Sequence, residues 1–371
     1  MQKISPDRNE SLKIGIIGTA KNTGKTTTMV AMMNEAVHRG ISLGLTGIGY
    51  DGEAIDNLTF LPKPRVVLSP GVWIGTAQKC AEHATARFDI LETTSEMTSL
   101  GPVQILKTLE SGGVLLAGPN KTSSLKRILS RLDKHADLIM IDGALGRIVP
   151  MEDADAVIFA TGAARCPDIP LLADEMKATE DIFHLPGIDA EDDVSPFPEK
   201  ITVYNENGDS MIFPFSSFLE PVQVEQFWRE CPEDPEKIII PGAVSIKGMK
   251  AFHELAGERL KEVKIIFRSP PMLLAGGKPI LVRDELNRLL EKGALACYHK
   301  TLPILAVTIN PFYPKSAGRR GRFEAAYVDE KELKNAFLRE TDLPVINIEK
   351  DGAGTLFDLI SEFRPGMLPD S

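Results

Sequence analysis

"LKIGIIGTAKNTGKTTTMVAMMNEAVHRG", Leu12 to Gly40, sets an apolar run against a turn rich in glycine and threonine, then a helix-period pattern. "LKIGII" has the near-continuous apolar character of a strand covered on both faces. From Lys25 to Arg39, Met29, Met33, Ala36 and Val37 recur at helical spacing, and Gly40 stands where a C-terminal glycine belongs. The turn between them nearly matches the phosphate-binding pattern G-x-x-x-x-G-K-[ST]. Counting back from Gly24-Lys25-Thr26 puts Thr19 where the first glycine belongs, with Gly18 one residue earlier. That displacement alters the shape of the loop more than its chemistry. Backbone N–H groups leading into a helix N-terminus attract anions by position and dipole. Thr19, Ala20, Lys21, Asn22, Thr23, Gly24, Lys25, Thr26 and Thr27 are therefore expected to cradle the phosphates of a nucleotide. Lys25 is expected at the β- and γ-phosphates, and the Thr26 hydroxyl on Mg²⁺ with Thr27 behind it.

Further residues fit that chemistry. "ADLIMIDGALGR" is an apolar strand ending in Asp142-Gly143, where a carboxylate can hold Mg²⁺ opposite Thr26. Asp51 follows the second strand and is a candidate for positioning an attacking water, with Glu53 and Asp56 on the same loop as substitutes. A turn aspartate beside Gly52 explains Asp51 equally well. Glu92 to Thr94 is a weaker candidate of the same kind. "GIGYDG", Gly47 to Gly52, spells the dinucleotide fingerprint, but "EAIDNLTFLPKP" offers no helix and no acid occurs between Asp56 and Glu82. "NKTS", Asn120 to Ser123, begins like a guanine reader and then has Ser where the base-pairing Asp belongs, so ATP is the expected nucleotide. Cys80 with His83, and Cys297 with His299, lack the second half of a zinc site. His38 and His253 lie on helical segments and read as structural. "YPKSAGRRGR", Tyr313 to Arg322, is a basic loop with glycine hinges, either simply solvated or a contact for a phosphate or an acidic partner.

The 371 residues carry a formal charge of -10, which argues against general binding to nucleic acid or to an anionic membrane. No apolar run approaches the ~20 residues that span a bilayer. "MQKISPDRNE" lacks the apolar core of a secretory signal, and the four cysteines have no framework spacing, so a cytoplasmic protein is expected.

Strands alternating with helices predict an α/β fold with a mainly parallel sheet of the P-loop NTPase kind, followed by a second C-terminal α/β domain. Expected strands are "LKIGII", "ISLGLTGIGY", "PRVVLS", "DLIMID" and "DAVIFATGA", with helices from about Ser123 to His135 and Pro170 to Phe183. "VQILKTLESGGVLLAGP" reads as a hairpin turned at Gly112-Gly113. The expected domains are 1–185 for nucleotide binding, 186–236 as a Pro- and acid-rich connector with a hairpin at Asn207-Gly208, and 237–371 as the second α/β unit. In that last unit "IIIPGAV", "VKIIF", "ILAVTIN" and "LPVINI" are expected strands, with helices at Asp284 to Lys292 and Asp329 to Arg339.

The loop together with "IDGA" resembles the branch of P-loop proteins that includes dethiobiotin synthetase, cobyrinic acid amide synthases and the molybdopterin-guanine dinucleotide accessory proteins. The last share a Lys-Asn-x-Gly-Lys-Thr core, here Lys21 to Thr26. The order of "GIIGTAKNTGKTTT", "TGIGYDGE", "ILETTSEMTSLGPVQI", "LAGPNKTSSLKRI", "MIDGALGR" and "ATGAA" is similar to the P-loop subunits of the lysine 5,6-aminomutase reactivases. That resemblance implies ATP-dependent release of damaged cobalamin from an adenosylcobalamin- and pyridoxal-phosphate-dependent aminomutase, together with a second, mismatch-repair-like ATPase subunit. Two other classes stay open. One is an ATP-dependent synthetase or kinase of cofactor biosynthesis, although neither Cys231 in "ECPED" nor Cys297 in "LACYHK" sits in a nucleophile elbow. The other is a nucleotide-binding adaptor that does not hydrolyse.

Overall fold

The near-continuous apolar run does form a buried strand, β1 (Leu12–Gly18), and the helix Lys25–His38 follows it. A computed structural model of the chain describes residues 10–49, 66–192, 194–318 and 323–366. The helix buries Thr28, Met29, Met32, Met33 and Ala36, whereas Val37, expected on that face, is exposed. Gly40 takes a positive φ of 69°, its N–H donating to Val37 C=O and the Ile41 N–H to Ala36 C=O. Those two bonds make a Schellman stop, which is why glycine stands there.

Next come β2 (Leu43–Gly47), β3 (Val66–Leu68), β4 (Trp73–Ala77), β5 (Arg87–Thr98), β6 (Gly101–Glu110) and β7 (Gly112–Val114). After the helix Thr122–Leu132 the chain forms β8 (Leu138–Ala144) and β9 (Ala156–Gly162). It then makes β10 (Thr202–Asn205), β11 (Ser210–Ile212), β12 (Pro235–Ile240), β13 (Lys264–Phe267) and β14 (Leu295–Tyr298). The last strands are β15 (Ile304–Asn310), β16 (Phe312–Ser316), β17 (Phe323–Tyr327) and β18 (Val345–Ile346).

These elements divide into two units, 1–172 with 304–371, and 173–303. The division differs from the expected 1–185, 186–236 and 237–371. "ILAVTIN" and "LPVINI" belong to the first sheet: β15 pairs in parallel with β9, and β18 with β15. Local pattern could not reveal this, because a buried parallel strand reads alike in whichever sheet it lies.

The first unit holds a nine-stranded sheet ordered β18-β15-β9-β1-β8-β2-β4-β6-β5. It is parallel from β18 to β4 and antiparallel at β4–β6 and β6–β5, so a mainly parallel α/β sheet is what the chain adopts. The expected hairpin at Gly112-Gly113 is absent. The hairpin turns instead between β5 and β6, where Gly101 has φ 94°, while β7 pairs antiparallel with β3 in a separate ribbon. Gly112 is required by proximity: a Cβ there would lie 2.2 Å from the Ala86 nitrogen. "PRVVLS" likewise supplies β3 to that ribbon and adds nothing to the main sheet.

In the second unit the sheet runs β11-β10-β12-β13-β14, parallel from β12 to β14. The expected Asn207-Gly208 turn joins β10 to β11, with Gly208 at φ 80°. Phe227, fully buried on the helix Pro221–Glu230, lies 4.6 Å from Phe213, 4.9 Å from Trp228 and 5.2 Å from Phe218 between ring centroids. Phe227→Ala should therefore cost about 3–5 kcal/mol, as a large ring leaves a cavity that rigid aromatic neighbours fill poorly. Urea unfolding followed by Trp228 fluorescence measures it, and a cost below about 1 kcal/mol would contradict this packing.

Candidate functional site

The residues expected to bind phosphate converge on one cleft of about 540 Å³ in the first unit. Gly18, Thr19, Ala20, Lys21, Asn22, Thr23, Gly24, Lys25, Thr26 and Thr27 line it, opposite Asp142 and Gly143. Sheet order makes this inevitable. β8 lies beside β1 with Ile16 level with Asp142, so the strand ends carrying the loop and the carboxylate are neighbours. Ligands of open α/β sheets bind at these carboxyl ends.

The loop owes its shape to a few residues. Gly24 sits at the helix N-cap with φ 87°, a left-handed conformation natural to glycine. Asn22 also has a positive φ of 64°, which asparagine tolerates better than most residues. The buried Thr23 hydroxyl donates to Ala20 C=O at 2.9 Å and closes the turn on itself. No side chain caps the helix and no acid occupies its first turn. Its leading N–H groups thus have no intrahelical acceptor and face the cleft with a positive dipole.

The displaced glycine has a physical explanation. A Cβ on Gly18 would lie 3.2 Å from Cδ and 3.3 Å from Cβ of Lys25, so a bare backbone lets the lysine stem lie across it. Thr19 is turned toward β9 instead. Its N–H donates to Ala160 C=O at 3.0 Å and its hydroxyl to Thr161 Oγ1 at 2.8 Å. Thr19 lines the cleft, but its backbone donor is already engaged.

Lys25 and Asp142 meet: Nζ lies 2.6 Å from Oδ1. Oδ1 is buried and accepts no well-formed hydrogen bond among the described residues, so charge attraction alone satisfies it. Among the described lining residues three cations, Lys21, Lys25 and Arg147, accompany the single acid Asp142. That positive balance among the described lining residues, in a chain of charge -10, suits a polyanion. Thr26 lines the same cleft as Asp142, so a hydroxyl and a carboxylate share it, the hard oxygen donors that Mg²⁺ takes.

Asp51, Glu53 and Asp56 lie outside the described residues, as do Tyr50 to Gly52 of "GIGYDG" and the Arg319 to Arg322 part of the basic loop. Glu92 and Thr94 are on β5, at the sheet edge and away from the loop. Glu92 pairs with Arg131 at 2.8 Å, and Thr94 donates to Val103 C=O. Nearby, the hydrogen bonds of Arg127 hold the Glu96 carboxyl down at about 2, so Glu92 and Glu96 both pair with arginines of the helix Thr122–Leu132. "NKTS" opens the helix Thr122–Leu132, with Lys121 at its N-cap. Burial pushes the Cys231 thiol up to about 12 and Cys297 to about 11, which removes both as thiolate nucleophiles. His83 Nδ1 lies 2.8 Å from Lys79 C=O, and His253 pairs with Glu285 inside the second unit. No group of three His, Cys, Asp or Glu able to hold a metal occurs among the described residues.

No family model matches the chain, and no curated protein matches it either. Among the described residues no helix is long and apolar enough to cross a membrane.

Three cleft residues escaped the sequence reading. Arg147 ends "IDGALGR" and lies against Gly49. Asn310 and Phe312 come from the far end of the chain. Asn310 ends "ILAVTIN" as Asp142 ends "LIMID", and a polar residue closing a buried parallel strand was the signal available.

Proposed function

We propose that this cleft binds Mg²⁺-ATP and that the chain acts as an ATP-hydrolysing P-loop subunit of a reactivase for an adenosylcobalamin-dependent lysine 5,6-aminomutase. The observation carrying the nucleotide part is the ion pair at the mouth of an uncapped helix. Lys25 and Asp142 neutralise each other at 2.6 Å, the arrangement expected of two groups that separate around a phosphate–metal ligand. Lys25 would then serve the β- and γ-phosphates, while Asp142 and Thr26 would hold the magnesium. The magnesium would neutralise phosphate charge, and the loop N–H groups hold the phosphates still. ATP is preferred to GTP because the stretch resembling a guanine reader is spent on a helix start.

The reactivase part rests on the order of motifs in the first half of the chain. The buried thiols of Cys231 and Cys297 support it indirectly, since neither suits the nucleophile of glutamine-dependent amide synthesis. One observation favours a second reading. Ile48, Val66, Val114, Leu115 and Leu116 give the cleft an apolar wall, which would suit the small acceptor of an ATP-dependent synthetase or kinase. High turnover of the isolated chain on a small carboxylate would establish that alternative and end the reactivase proposal.

Asp142→Asn tests the magnesium role. The substitution keeps the shape and removes the charge, so Mg²⁺-dependent ATP turnover should fall about 100-fold. Affinity for ATP in EDTA should persist or rise, since a negative charge beside the phosphates has gone. Unchanged turnover would make Asp142 an ordinary turn residue.

A further inference from the structure

Among the described lining residues, Lys21 and Lys25 belong to the phosphate loop, whereas Arg147 comes from the chain that follows Asp142. β8 ends at Ala144 and passes at once into a single helical turn, Leu145–Arg147, which returns the arginine to the cleft. Its neighbour fixes where it stands. Cδ and Nε of Arg147 lie 3.2 Å from where a Cβ on Gly49 would sit, so the stem packs on bare backbone just past β2. Gly49 has φ 66°, which suits glycine as well.

Sheet order then arranges the cleft in sequence. Asn310 stands at the end of β15, the loop at the end of β1, Asp142 at the end of β8, and Arg147 on Gly49 past β2. Gly47 is level with Asp142, and the Ile48 N–H donates to the Asp142 carbonyl at 2.8 Å. Because β8 lies between β1 and β2, Arg147 is across Asp142 from the loop. A magnesium held by Asp142 and Thr26 would bridge the β- and γ-phosphates and so mark the terminal end of the nucleotide. Thr27, next on the helix, lines a small hollow with Thr308 and Asn310 of β15. The α-phosphate and nucleoside would therefore extend toward β15, with the γ-phosphoryl group toward β2 and Arg147.

From this juxtaposition we infer that Arg147 is a catalytic residue, its guanidinium neutralising the charge that develops on the γ-phosphoryl group during hydrolysis. In that step a water oxygen bonds to the γ-phosphorus as the bond to the β–γ bridging oxygen breaks. The electron pair of the broken bond stays on ADP, and the water proton leaves with inorganic phosphate. Charge spreads over the outer oxygens of the moving group, which a planar guanidinium meets with two N–H donors at once. Lys25, paired with Asp142 at 2.6 Å, serves binding instead. The inference rests on the nucleotide reading above and deepens it by naming the residue that acts on the γ-phosphoryl group.

Calorimetry with Mg²⁺-ADP, alone and with aluminium fluoride as a mimic of the moving phosphoryl group, separates this role from plain binding. An arginine supplied by the chain itself should let the isolated wild type bind the mimic. Arg147→Ala should bind ADP with aluminium fluoride about 100- to 1000-fold more weakly, while Mg²⁺-ADP affinity stays within about threefold. Single-turnover hydrolysis should slow by the same factor, with the half-saturating ATP concentration unchanged. Arg147→Lys keeps the charge without the fork and should fall between the two. Equal losses for Mg²⁺-ADP and for the mimic would make Arg147 a ground-state anchor and overturn the inference. A wild type that binds Mg²⁺-ADP but gains nothing from the fluoride would overturn it too, with the nucleotide reading intact. A wild type that binds neither would overturn both.

Discussion

Lys25→Ala should weaken Mg²⁺-ATP binding by about 10- to 150-fold. That is what losing a charge-assisted contact to phosphate costs, roughly 1.5–3 kcal/mol. For ATP without magnesium a second loss adds to the first. Lys25 neutralises Asp142 at 2.6 Å, so its removal leaves a carboxylate facing the phosphates without its counter-charge. The prediction therefore has internal structure. Lys25→Ala with Asp142→Asn should bind metal-free ATP better than Lys25→Ala alone, because the repulsion goes with the carboxylate. A double-mutant cycle by calorimetry reads that coupling, and sites this close are expected to be non-additive. The fold should survive, since both side chains reach solvent, at 25% and 22% exposure, and β1 keeps its pairing with β8 and β9. Lys21→Ala is the control: the residue is exposed and lies on the same loop, and its loss should cost far less. Equal ATP affinity in Lys25→Ala and wild type would remove the basis of the nucleotide reading.

What the sequence could reveal follows from how far apart the cooperating residues are. The loop, its helix and the Schellman stop at Gly40 lie within Leu12–Ile41, and each is written in neighbouring residues. Asp142 was legible because a single acid closes an apolar strand, although its 2.6 Å approach to Lys25 needed β8 to lie beside β1. Gly112 misled. A glycine pair after an apolar run reads as a turn, but this one exists because the Ala86 backbone passes against it. The return of β15 to β9 spans more than 140 residues and leaves no local trace. Asn310 was hidden by the same separation. The boundary at 303–304 was missed because "ILAVTIN" has the apolar texture of its preceding strands, while what assigns it is pairing.

The largest functional effect should appear only in company. The isolated chain is expected to hydrolyse ATP slowly. Lys25 is tied to Asp142, and ATPases of this kind whose site a partner completes are slow without it. Adding the second, mismatch-repair-like ATPase subunit and an inactivated cobalamin-dependent aminomutase should raise turnover by about 10- to 1000-fold, the range that a completing cation or an ordered loop supplies in related chemistry. The same mixture with ATP, Mg²⁺ and fresh adenosylcobalamin should restore mutase activity, and omission of any one should prevent it. Lys25→Ala should abolish rescue by loss of ATP binding, whereas Asp142→Asn should abolish it with metal-free ATP affinity retained. That pair of variants separates occupancy from hydrolysis: a step driven by nucleotide binding alone would survive Asp142→Asn wherever ATP remains bound. Rescue that proceeds equally without ATP, or with Lys25→Ala, would rule out the chaperone role even if the cleft binds ATP tightly.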